Sequence, residues 1–128
     1  MKTRKKLAAA EWEIMNELWN SEGPSTVREV HGRLYPQGQK AYTTVQTIMN
    51  ILVEKGFLSK QKIGMVNFYR PVLSRKKAMQ QETRSLVARA FDGSFGALAN
   101  YLVDSGQLSE SELRELQSWL DAKQSDRQ

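Results

Sequence analysis

The chain has 128 residues, of which 40% are apolar and 26% charged, enough for one modest domain or a small domain with an appendage. It carries a formal charge of +5 and contains no cysteine, which excludes a disulfide framework and thiolate metal sites and favours an acidic partner. The charge is lopsided: residues 1–75 hold twelve Lys/Arg against six Asp/Glu, and residues 76–128 hold seven against eight. The basic half is therefore the expected polyanion binder.

The opening Met1 to Lys6 is basic, but Glu11 and Glu13 interrupt the apolar stretch that follows, so no signal peptide is expected. No apolar run approaches the roughly 18 residues of a membrane span, and a cytoplasmic protein with no membrane insertion is the expectation. Lys2 to Lys6 form a basic arm, read as a solubilising terminus rather than a phosphate contact.

Ala8, Trp12, Met15 and Trp19, widened by Ile14 and Leu18, predict an amphipathic first helix, ended by Ser21 to Pro24. Thr26-Val27-Arg28-Glu29 has the capping-box pattern of a second helix, with Val27, Val30 and Leu34 inward and Tyr35 to Gly38 breaking it. A third helix is predicted from Tyr42 to Lys55. Val45, Ile48, Met49 and Leu52 form its inner stripe, and Gly56 follows where a left-handed residue ends a helix. The period then shortens. Phe57 to Ile63 and Val66 to Leu73 read as strands around Gly64, and Pro71 suggests that the second lies near a sheet edge.

After Ser74 the pattern is helical again. Helices are predicted from Arg75 to Phe91 and from Phe95 to Val103, and a third opens at the capping box Ser109 to Glu112. The tail from Lys123 reads as frayed. The expected architecture is mainly α with a small β-wing. Residues 1–74 form a winged helix-turn-helix, and residues 75–128 form a three-helix dimerisation region.

In this arrangement the third helix enters the major groove by its N-terminal half. Its outer face offers Thr43, Thr44, Gln46, Thr47 and Asn50 as base readers. Gln and Asn pair with adenine, and Thr offers a hydroxyl and a methyl for thymine. Lys40, Tyr42, Lys60, Lys62 and Arg70 are the expected phosphate contacts, and Lys60 and Lys62 share one side of a strand by its period of two. Glu54 falls at the far end, away from the bases. The single histidine, His31, lies beside the core edge with no partners for a metal site, and no cofactor is expected. No nucleophile triad, phosphate loop or zinc motif is present, so the chain is not read as an enzyme.

The C-terminal helices each have one apolar face and too few residues for a core of their own, so a second copy is expected to cover them. The expected interface comprises Leu86, Val87, Phe91, Phe95, Leu98, Leu102, Leu113, Leu116, Trp119 and Leu120. Two alternatives stand beside a sequence-specific repressor. A protein-interaction adaptor would want an apolar outer face on the third helix. A non-specific architectural protein would want more positive charge and an apolar wedge.

Several stretches together resemble the penicillinase-repressor family: Ala10 to Trp19, Thr26 to Val30, Tyr42 to Met49, Leu52 to Gly56, Phe68 to Pro71 and Phe91 to Ser94. The resemblance covers the chain to about Leu120. It implies a cytoplasmic dimeric repressor of β-lactamase, methicillin-resistance or copper-export genes, acting on palindromic operators with TACA/TGTA cores. Copper sensing through thiolates falls with the absence of cysteine. Ala8 stands where the family commonly has a hydroxyl cap. Met65 stands where its wing often has a basic residue, so the wing tip is assigned no groove contact. The resemblance also implies a switch: a membrane-bound sensor with a metalloprotease domain triggers scission in the dimerisation region, between Asn and a following aromatic residue. Asn100 and Tyr101 occupy that place.

Overall fold

A computed structural model describes residues 6–127; of the N-terminal basic arm only Lys6 falls among them, and Lys2 to Lys5 lie outside the described residues. The element order is α1 (Ala9–Asn20), α2 (Val27–Leu34), α3 (Tyr42–Lys55), β1 (Leu58–Ile63), β2 (Val66–Pro71), α4 (Arg75–Ala90), α5 (Phe95–Asp104) and α6 (Glu110–Asp126). This is the expected mainly helical fold with a two-stranded wing. The chain forms two compact units, residues 1–82 and 83–128.

In the first unit α1, α2 and α3 enclose an apolar core. Ile14 and Met15 of α1, Val30 of α2 and Val45, Met49 and Leu52 of α3 are fully buried, joined by Phe57, Leu58 and Tyr69 from the wing. Ala8 begins α1 without a side-chain cap, and only the reciprocal half of a capping box is made, the Glu11 carboxylate accepting from the Ala8 N–H at 2.7 Å. The same carboxylate takes the Lys55 ammonium at 2.7 and 2.9 Å, tying the start of α1 to the end of α3. Lys55 also donates to the Lys6 carbonyl. The predicted capping box of α2 is formed, with Glu29 N–H donating to Thr26 Oγ1 at 3.1 Å and Thr26 N–H to Glu29 at 2.9 Å. Gly56 ends α3 at φ 88°, a left-handed conformation that glycine adopts without a Cβ clash.

β1 and β2 pair antiparallel from Leu58 opposite Pro71 to Ile63 opposite Val66. The sheet gains a third contributor that the sequence pattern does not announce. Ser25 bridges to Tyr69, each residue's N–H donating to the other's carbonyl at 2.9 and 2.8 Å. β2 is thus central at Tyr69, not an edge. Pro71 is accommodated because it is the last residue of the strand, where a missing N–H interrupts no ladder beyond it.

The first two turns of α4 belong to this unit. Ala78 is buried in its core, which is why the unit runs past Ser74. Trp19 anchors the preceding segment by donating from Nε1 to the Leu73 carbonyl at 2.9 Å, and packs against Trp12 with ring centroids 5.9 Å apart.

In the second unit α4 ends in two successive left-handed residues, Asp92 (φ 50°) and Gly93 (φ 81°). Aspartate tolerates this region better than most side chains. The fold-back turns the Gly93 N–H onto the Val87 carbonyl at 3.0 Å, which already accepts the last helical bond from Phe91 N–H. Ser94 and Ser109 cap α5 and α6, accepting from Ala97 N–H at 3.0 Å and Glu112 N–H at 3.1 Å. α6 continues to Asp126, beyond the expected fraying at Lys123. Ala122, Lys123 and Gln124 are good helix formers and extend a helix already nucleated at the Ser109 capping box.

Candidate nucleic-acid interface

The first half of α3 presents its polar face to solvent. Thr43, Thr44, Gln46 and Thr47 are all exposed, and Asn50 is half-buried. Thr47 Oγ1 donates to the Thr43 carbonyl at 2.9 Å, which leaves the hydroxyl oxygen as an acceptor beside the side-chain methyl group. Glu54 is exposed in the last turn, as far along the helix as expected.

The strand register fixes the sides of the wing. Lys60 opposes Tyr69 and Lys62 opposes Asn67, which places these four on one face by the period of two. That face meets α3, because Lys60 Nζ and the Tyr69 hydroxyl both donate to Asn50 Oδ1, at 3.1 and 3.0 Å. Lys60 and Lys62 thus share a side, as their spacing predicts. Arg70 opposes Ser59 and falls on the other face, beside Pro24, Gln61, Ile63 and Phe68. The structure does not bring it to the side of Lys60 and Lys62. Strand alternation carried that signal, but it becomes readable only once the register is known.

Before α3, Lys40 and Tyr42 form a small aromatic cluster with α2. Lys40 Nζ lies 5.5 Å from the Tyr35 ring centroid, and His31 Nε2 bonds the Lys40 carbonyl at 2.8 Å. Tyr42 meets the His31 ring edge-on at 6.0 Å. His31 is therefore half-buried scaffolding for the segment that feeds the helix, close to its structural reading from sequence. The Tyr35 hydroxyl donates to Glu13, and burial followed by that carboxylate pushes its pKa well above the ordinary phenol range. Burial, then Tyr42, also raises the Tyr69 pKa, and its hydroxyl donates to Asn50.

Between α2, α3 and the wing lies an open cleft of about 1050 Å³, whose lining includes Arg28, His31, Tyr42, Gln46, Met65 and Asn67. Arg28 and Asn67 are polar groups of this surface that sequence reasoning missed. Arg28 was absorbed into the capping signal of α2, and Asn67 into the strand pattern. Met65, at the wing tip, is 90% exposed, following Gly64 at φ 64°.

The apolar residues expected to pair two copies lie in the second unit. Leu86, Phe95, Leu102, Leu113, Trp119 and Leu120 are exposed, and Phe91, Leu98 and Leu116 are half-buried. Val87 differs: it is 1% exposed within the single chain, so it offers no surface to a second copy. Asn100 and Tyr101 are both exposed on α5, with the Tyr101 ring 5.9 Å from that of Phe91.

The sequence pattern of the penicillinase repressor family matches residues 7–122. An uncharacterised 16.5 kDa protein of Latilactobacillus sakei is 31% identical over 117 residues, covering 91% of this chain and 80% of its own. The penicillinase repressor of Bacillus licheniformis is 28% identical over 116 residues, covering 91% and 90%. Among solved structures, the solution structure of the DNA-binding domain of the repressor BlaI matches with a TM-score of 0.53 and 28% identity, over 60% of this chain and 93% of that domain.

Proposed function

The chain belongs to the penicillinase repressor family, and we propose that it is a cytoplasmic transcriptional repressor that binds a palindromic operator as a homodimer. The observation that carries this reading is the exposed Thr43, Thr44, Gln46 and Thr47 face of α3, flanked on one side by Lys60 and Lys62 of the wing. Those side chains suit base edges, and the lysines suit the adjacent phosphates. An adaptor that docks through α3 would need an apolar face there, and a polar one argues against it. The homodimer is supported by the exposed apolar side chains of α5 and α6, which a second copy would cover. Two linked readers gain affinity from the second half-site without any new type of contact.

A gel shift against palindromic and random DNA across a salt series tests the reading. Specific binding to one palindrome, with a weaker salt-sensitive affinity for random DNA, is the expected result. Equal affinity for all sequences would indicate an architectural protein, and no DNA binding an adaptor.

Relief of repression is assigned to scission between Asn100 and Tyr101, initiated through a membrane sensor with a metalloprotease domain. Proteases take extended backbone, so α5 must open locally. A ten-residue helix does so at lower cost than a long one. Immunoblots and mass spectrometry after induction should find a fragment ending at Asn100. Derepression with the chain at full length would remove this switch.

A further inference from the structure

Asn50 accepts at Oδ1 from Lys60 Nζ at 3.1 Å and from the Tyr69 hydroxyl at 3.0 Å. A carbonyl oxygen has two lone pairs, and both are occupied. Asparagine grips adenine by accepting from N6 while donating to N7, and here the accepting half is already taken. The two donors come from different strands, and one is rigidly placed. Tyr69 is 1% exposed and bonded through its backbone to Ser25. Lys60 is restrained as well, its ammonium lying 6.0 Å from the Tyr69 ring centroid.

Building on the reading of this unit as a DNA binder, we infer that Asn50 is a positioning residue rather than a base reader: it joins α3 to both strands of the wing and sets the angle between the groove-reading helix and the wing lysines. Thr43, Thr44, Gln46 and Thr47 then remain as the readers. Substitutions at Asn50 act through geometry shared by every DNA sequence, whereas substitutions among the four readers act on particular base pairs.

The test uses the full chain and its two simplest disruptions. Asn50→Ala removes the acceptor. Tyr69→Phe removes one donor from a side chain too buried to touch DNA. Affinities are measured for the operator and for a set in which each base pair of a half-site is changed in turn. Tyr69→Phe, which loses one hydrogen bond, should bind about five-fold more weakly, and Asn50→Ala, which loses both, at least as much, each variant by one factor common to every operator. Loss of preference at a single base pair in Asn50→Ala, retained in Tyr69→Phe, makes Asn50 a reader and overturns the inference. So does wild-type binding by either variant.

Thermal melts without DNA provide the second measurement. The double variant should fall no further than Asn50→Ala alone, because the bond can be lost only once. Additive losses overturn the joint while leaving the repressor reading intact. A wild-type chain that prefers no operator overturns that reading, and the melts still report on the joint.

Discussion

The two units of this chain solve the problem of a small core in opposite ways. Residues 1–82 bury Ile14, Met15, Val30, Val45, Met49 and Leu52 completely, and cap or pair the polar groups around them. Residues 83–128 have helices just as well capped, yet among the described residues Val87 is the one large apolar side chain there that is fully covered, while Trp119 is 61% and Phe95 54% exposed. Good local structure and a sufficient core are therefore separate properties. The first unit has both, and the second has helices in search of a cover.

The sharpest way to break this contrast is to cut it. A chain ending at Glu82 should melt cooperatively and sediment as a monomer. It should lose roughly 100-fold or more in affinity for a full palindrome, the scale set by linked binding. A dimer from that fragment would place the interface in the first unit.

Single substitutions probe the same difference. Leu52→Ala should cost about 2–5 kcal/mol in the first unit, measured by denaturant unfolding. Trp119→Ala should instead raise the dimer dissociation constant in sedimentation while leaving the melting of the first unit unchanged. Equal effects on both observables would mean that the units share one core.

Within the first unit, Thr47→Ala or Gln46→Ala should weaken operator binding by roughly 1–3 kcal/mol and barely affect random DNA. The smallest effect belongs to Lys62→Ala. It should lower the salt slope of binding by about one unit on every sequence, while Arg70→Ala, on the other face of the wing, should leave it unchanged. A reversed result would move the phosphate contacts to the Arg70 face.

Much of this fold was legible because its signals are local. The inner stripe of α3, the left-handed Gly56 and the capping boxes at Thr26 and Ser109 each lie within a few residues of what they determine. What escaped depends on distant partners. A single bridging residue such as Ser25 has no period to detect. Ala78 is too small to advertise that the first unit extends into α4. Polar residues on α3 look alike whether they face a groove or a wing, so Asn50 joins the readers until the register puts Lys60 and Tyr69 beside it. In the second unit an apolar stripe cannot say which member its own chain will cover. Val87 is 1% exposed within the single chain, whereas Leu86 beside it is exposed.

The ion pair between Glu11 and Lys55 bears on how the molecule approaches a polyanion. Lys55 closes the helix expected to lie in the groove, yet its ammonium is turned to Glu11 and the Lys6 carbonyl. Arg33 is likewise engaged by Glu17. The field that guides long-range encounter is shaped by where uncompensated charge sits, not by a formal total of +5. Neutralised in this way, the closing turn of α3 exerts little pull of its own. Lys60 and Lys62 of the wing are engaged by no carboxylate among the described residues, so their charge stays available to a polyanion in a way that the charge of Lys55 does not.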